Sequence, residues 1–254
     1  MKEDIYALTF LVGDLIMIAG GYWAGWKFIK HYKNYLLGIE WFIIATSGVN
    51  FLVWALRFPN DKEAGEASFQ YSVAFFLDAF SRSVGITLLL VVGFMAVTHR
   101  YKSSLAVDAA VFAVGIGAGL YLAQPKFQDH VDDAGHHILY TGPATVYLVG
   151  NLLTLVFLVY LTKRLWDIGA TKVAVATLLV SLAGTAIALG YDFFPFPSSV
   201  DPLEDRALFY SLALTVWGLQ LFTYLFAYRA LDEHNKAMTA SDLSDAHSVH
   251  VTQS

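Results

Sequence analysis

The chain contains no cysteine, so it has no disulfide framework, no thiolate-held zinc or iron–sulfur cluster and no cysteine nucleophile. Charge is nearly as scarce. Asp, Glu, Lys and Arg make up 15% of the 254 residues, whereas a soluble domain carries roughly 25%. A water-facing fold of this length would lack the ionic groups to cover its surface. The formal net charge of −5 gives nucleic acid no basic face to bind. Catalytic signatures are missing too: there is no HExxH, no suitably placed GxSxG and no GxxxxGK[ST]. No two histidines face each other within apolar runs, which argues against a buried bis-histidine haem. Neither cofactor nor metal is implied, and an enzyme ranks last among the functional readings.

What the chain has instead is apolar runs, 57% hydrophobic residues overall. Seven fall at about Ile5–Trp26, Tyr35–Leu56, Phe69–Val97, Leu105–Ala123, Ala144–Leu161, Val173–Phe194 and Ala207–Tyr228. A helix crosses the hydrocarbon layer in ~20 residues, and each run approaches that length. Lipid offers no partner to an unpaired backbone group, so the runs must be helices. Alternating segments of ~10 residues, the mark of a membrane β-barrel, are absent. The expected fold is an all-α seven-helix transmembrane bundle over residues 1–230, followed by a disordered tail over 231–254, where apolar periodicity ends.

Loop charges orient the bundle. The loops after spans one, three and five, together with the tail, carry ten basic residues: Lys27, Lys30, Lys33, Arg100, Lys102, Lys163, Arg164, Lys172, Arg229 and Lys236. The other side carries five, Lys2, Arg57, Lys62, Lys126 and Arg206, among the acidic clusters at 61–66, 129–137 and 201–205. The positive-inside rule therefore predicts an outside N-terminus and a cytoplasmic C-terminus in the plasma membrane. Trp23, Trp26, Trp41, Tyr101 and Trp166 fall where an interfacial aromatic belt is expected. GxxxG pairs at Gly21/Gly25 and Gly115/Gly119 predict close helix packing, within the bundle or between copies in an oligomer.

Spans one to three can be laid over spans five to seven. LVGDL at 11–15 matches LVGNL at 148–152, Gly48 with Phe58-Pro59 matches Gly184 with Phe194-Pro195, and Tyr71-Ser72 matches Tyr210-Ser211. The offsets of 137, 136 and 139 suggest a 3+1+3 parallel repeat.

Charges within spans cost on the order of 2.5–3.5 kcal/mol each on insertion scales, so each calls for an explanation. Glu40, Asp108 and Asp192 fall near span ends and read as boundary residues. Asp14 and the pair Asp78 and Arg82 lie deeper. Asp78 and Arg82, four apart, share a helix face and can form an ion pair, and Asp14 falls at a similar depth as a second carboxylate for Arg82. With Asn50, Asn151, Tyr71, Tyr210, Trp54, Trp217 and Gln220, these residues outline an expected polar cavity in the outer half of the bundle. The candidate substrate- or proton-binding set is Asp14, Asp78, Arg82, Asn50, Asn151, Trp217 and Gln220. His247 and His250, three apart in the tail, read as solvated.

Seven spans, an outside N-terminus and an arginine in the third span resemble the plan of microbial rhodopsins. That family holds retinal on a lysine in the last span, and ALFYSLALTVWGLQLFTYLFAY has none. The 3+1+3 arrangement is similar to that of SWEET and PQ-loop transporters, although Pro-Gln occurs only reversed, as Gln124-Pro125. The functional expectation is transport of a small solute or ion. The alternative is a non-enzymatic sensor or accessory subunit with a rhodopsin-like bundle lacking the retinal lysine.

Overall fold

A computed structural model describes residues 2–58, 64–65, 67–127, 138–193 and 207–251; for 2–6, 191–193, 207–210 and 242–251 it describes the backbone only. Lys62, Pro59, Arg206 and Phe194-Pro195 lie outside the described residues, as do the side chains of Lys2, Asp192, Tyr210, His247 and His250.

Among the described residues every regular element is helical, and seven helices are long and apolar enough to cross a membrane. They agree in number and place with the runs read from the sequence. By length and hydropathy the chain is a multi-pass membrane protein. Helix α1 is Lys2–Lys27, prolonged by a π-helical turn, Phe28–Tyr32. Helix α2 is Tyr35–Arg57. Helix α3 runs from Phe69 to Thr98 and contains a π-helical stretch, Ser81–Leu89. Helices α4, α5, α6 and α7 are Leu105–Leu122, Thr141–Asp167, Thr171–Phe193 and Ala207–Val251.

Local chemistry sets the helix ends. The Asn34, Ser68 and Ser104 side chains accept hydrogen bonds from the backbone N–H groups of Leu37, Tyr71 and Val107, capping α2, α3 and α4. Gly169 takes φ +79° between α5 and α6, where the Ala170 N–H reaches back to the Leu165 carbonyl, a turn that favours glycine.

The helices close a ring: α1 packs on α2, α2 on α3, α3 on α5, α5 on α6, α6 on α7, and α7 returns to α1. Helix α4 lies outside the ring and packs chiefly on α3. The two GxxxG pairs act differently. At Gly21 and Gly25 the backbones of α1 and α2 approach each other, so a Cβ on Gly21 would stand 2.7 Å from the Trp41 carbonyl oxygen. At Gly115 and Gly119 the gap in α4 instead seats the Phe80 ring of α3.

At the end of the bundle that carries the α1–α2 turn, Phe28, Tyr32, Trp41, Phe94, Tyr224 and Tyr228 pack ring on ring, several of them edge to face. Each such pair contributes about 0.5–1.5 kcal/mol beyond area burial. Trp41 is therefore no belt residue: it is fully buried and its indole N–H donates to the Leu221 carbonyl at 3.1 Å. Trp23, Trp26, Tyr101 and Trp166 are exposed, as a belt requires.

The tail differs from the expectation of disorder, because α7 continues as helix through residues 231–251. Leu231 is buried in the core, and the Asn235 amide donates to the Val97 carbonyl of α3 at 2.8 Å. The ion pairs Arg229–Glu233 and Asp232–Lys236, each four apart, support the exposed face. Composition carries no trace of that anchor on α3.

Candidate functional site

Helix α3 is the hub. Its π-helical stretch holds Ser81, Arg82, Ser83, Gly85 and Thr87 at the junction of α2, α4 and α5. The Ser83 hydroxyl donates to the Ala79 carbonyl at 2.6 Å, and the Thr87 hydroxyl to the Ser83 carbonyl at 2.7 Å. Such back-bonding bends helices, and a glycine between the two hydroxyls lets the turns widen. Short π stretches inside α-helices frequently occur at functional sites.

On the α5 side of this hub lies the expected ion pair. Arg82 Nη1 is 3.8 Å from Asp78 Oδ2, and the guanidinium carbon lies 4.2 Å from the centre of the Tyr147 ring. A cation on an aromatic face in low dielectric is worth up to about 2 kcal/mol. Asn151 follows one turn after Tyr147 and donates its amide to the Tyr147 carbonyl at 2.8 Å. Asp78, Arg82 and Asn151 thus share the α3–α5 interface.

Asp14 does not join them. Its side chain is fully buried, and a Cβ on Gly48 of α2 would lie 2.8 Å from Asp14 Oδ1. Among the described residues neither of its oxygens has a hydrogen-bond partner. Around it α1 is clamped between α2 and α7, with Gly13 against Thr215 and Met17 against Gly218. Asp14 is therefore not the second carboxylate of Arg82.

Among the described residues the remaining polar groups make separate contacts rather than gathering around one outer cavity. The Asn50 amide donates to the Thr46 carbonyl of its own helix at 2.8 Å. Gln220 donates to the Val180 carbonyl of α6 at 2.8 Å and packs on Gly184. One turn further along α7, the Tyr224 hydroxyl meets Ser181 of α6 at 3.0 Å. Trp217 packs against the apolar core, and Trp54 lies against the Tyr71 ring at 5.6 Å.

One residue read as a boundary group is nothing of the kind. Glu40 has no exposed surface, and a Cβ on Gly85 would collide with both of its carboxyl oxygens. Counting from the start of α2 puts Glu40 just over a turn inside. Yet α3 continues past Gly85 for about 20 Å to Thr98 at 1.5 Å per residue. The Asn34 amide, donating to the Gly93 carbonyl at 2.7 Å, ties the start of α2 to a level well inside α3. One sequence signal could have marked Glu40. Its neighbours three and four residues away, Leu36, Leu37, Ile43 and Ile44, are all apolar, as Phe10, Leu11, Met17 and Ile18 are around Asp14.

The chain matches no protein-family model, and no curated protein aligns with it significantly. Function therefore has to be argued from these two carboxyls and the α3 hub.

Proposed function

We propose that the chain is a transporter of small solutes or ions in the plasma membrane, with its N-terminus outside and its C-terminus in the cytoplasm. The observation that carries this reading is Asp14, a fully buried carboxyl with no hydrogen bond to either oxygen among the described residues. A structural ion pair accounts for a buried charge such as Arg82, but no such pair accounts for Asp14. A group that packing and pairing leave unused within a span is available to a ligand, and ionisable groups of this kind mark substrate and ion pathways. The order of packing supports a 3+1+3 repeat: α1–α2–α3 and α5–α6–α7 are each runs of successive neighbours, and α4 lies apart on α3. Parallel repeats of this sort suit alternating access around a site near the midplane.

The test is flux in reconstituted vesicles under an imposed proton gradient, with a panel of candidate solutes. Asp14→Asn abolishes uptake or efflux while the protein still inserts. A reporter active only in the cytoplasm, fused at Ser254, is active; a silent fusion there, with an active one beside Lys62, overturns the orientation.

A second reading, a sensor or accessory subunit, is favoured by one observation: Asn50, Asn151 and Gln220 spend their amides on backbone carbonyls instead of facing a shared cavity. Properly inserted protein that moves no solute and no proton, yet co-purifies with a bound ligand, decides for it.

A further inference from the structure

Glu40 poses a question that transport through Asp14 does not answer. Its carboxyl is wholly enclosed between α2 and α3, and it enters the space that a side chain at position 85 would fill. Among the described residues neither oxygen has an aligned hydrogen bond. The polar group beside it is the Ser81 hydroxyl, which is itself buried and likewise makes no aligned hydrogen bond. Arg82, next to Ser81 in the chain, is turned the other way, toward Asp78 and the Tyr147 ring. Two buried oxygen-bearing groups, facing each other and without any other partner among the described residues, therefore meet at one enclosed point on the π-helical stretch of α3.

We propose that Glu40 and Ser81, set against Gly85, form a monovalent-cation site in which a sodium ion or a proton neutralises the carboxyl. The donor set is all oxygen, which suits a hard cation. One carboxylate balances one positive charge. Among the described residues no group of three or more His, Cys, Asp or Glu residues comes together, so the several carboxylates that a divalent ion wants are not at hand here. Because the site sits on the widened turns of α3, its occupancy is coupled to the packing of α2 against the hub that also holds the Asp78–Arg82 pair. It extends the transport reading by supplying a coupling ion, but the occupancy itself is independent of flux.

The experiment uses the full chain in lipid nanodiscs at fixed pH and ionic strength. Sodium chloride replaces choline chloride stepwise while the thermal unfolding midpoint is followed, and infrared spectra record the protonated-carboxyl band. With sodium as occupant, the midpoint rises saturably in the unaltered protein and is flat in Glu40→Gln. Ser81→Ala then moves half-saturation about five-fold higher, the loss of one hydroxyl contact. With a proton as occupant, sodium has no effect, but a protonated-carboxyl band is present that Glu40→Gln removes and Ser81→Ala shifts. Asp14→Asn leaves the sodium response, or the Glu40 band, unchanged, so failure of the Asp14 transport reading and failure of this site are told apart. A sodium response retained in Glu40→Gln overturns the proposal, as does the absence of both a sodium response and a carboxyl band sensitive to that variant. If Glu40→Gln does not fold, Ser81→Ala decides alone: an unchanged half-saturation and an unshifted band overturn it.

Discussion

Two glycine-to-alanine substitutions, at Gly21 and Gly117, should move stability in different ways although their local chemistry is the same. Each replaces a glycine inside a helix, and each gains about 0.5–1 kcal/mol from the lower backbone entropy of the unfolded chain. That gain cancels when the two variants are compared. The remainder is the cost of the added methyl group. At Gly117 of α4 the new Cβ meets nothing within 4 Å, so it costs nothing. At Gly21 it would stand 2.7 Å from both the Trp41 carbonyl oxygen and Ala45 Cβ, and 3.2 Å from the Ala45 nitrogen. Carbon atoms rest about 3.5–4.0 Å apart, so α1 and α2 would have to part by about 1 Å. The obstructing atoms are mostly backbone and cannot swing aside as a long side chain would. Overpacking of this kind costs about 1–3 kcal/mol. Gly117→Ala should therefore be neutral or slightly stabilising, and Gly21→Ala should fall below it by about 1–3 kcal/mol. Unfolding by sodium dodecyl sulfate titrated into mixed micelles, monitored by tryptophan fluorescence, measures the difference. Equal stability for the two variants would refute the reading that a close backbone approach at Gly21 holds α1 to α2.

Removing Arg82 alone takes away the guanidinium 3.8 Å from Asp78, and breaking a buried pair in this way costs about 3–5 kcal/mol. The lower end applies here because the Asp78 side chain is 29% exposed. Asp78→Ala combined with Arg82→Ala should cost less than Arg82→Ala alone, and a double-mutant cycle on thermal stability reads the coupling; strictly additive effects would mean no interaction. Asn34→Ala removes the cap of α2 and the bond to the Gly93 carbonyl together, and should lower stability by about 2 kcal/mol in the same assay. Lys163→Ala, which breaks an exposed pair with Asp167, should leave stability unchanged within error.

Much of the fold could be read directly from the residues because lipid imposes a single answer on a long apolar run. Seven runs give seven helices, and the caps at Ser68 and Ser104 sit where the runs begin. The Asp78–Arg82 pair was legible for the same reason: four residues apart on a helix means the same face. What could not be read was depth. A count of span lengths from loop to loop treats all helices as ending on one plane, and they do not. Helix α1 runs on through a π turn to Tyr32, and α7 runs on past Tyr228 with Asn235 anchored to α3. The α1 overhang sets Phe28 on Trp41, and the length of α3 beyond Gly85 encloses Glu40, although both lie near the start of α2. The π-helical stretch of α3 was equally hidden, since the residue types that permit it, Ser83, Gly85 and Thr87, also occur in regular helix.

The same geometry explains why the expected polar cavity breaks up into separate contacts. Three polar side chains each rest on a glycine of the next helix: Asp14 on Gly48, Glu40 on Gly85 and Gln220 on Gly184. A glycine opposite a polar group lets the helices close tightly around it, so the group is enclosed at the interface where it arises and is not presented to a common lumen. For Gln220 the enclosure is complete in itself, because its amide finds the Val180 carbonyl. For Asp14 and Glu40 it is not, because their oxygens accept and the described residues of these interfaces supply no aligned donor. An amide carries its own donor and can settle on any nearby carbonyl, whereas a carboxylate between two helix backbones faces carbonyls that are already bonded and N–H groups that are already spent. Among the described residues Asp14 has no donor beside it and Glu40 has only the Ser81 hydroxyl, and this singles out the two carboxyls, rather than the more conspicuous ion pair on α3, as the functional candidates.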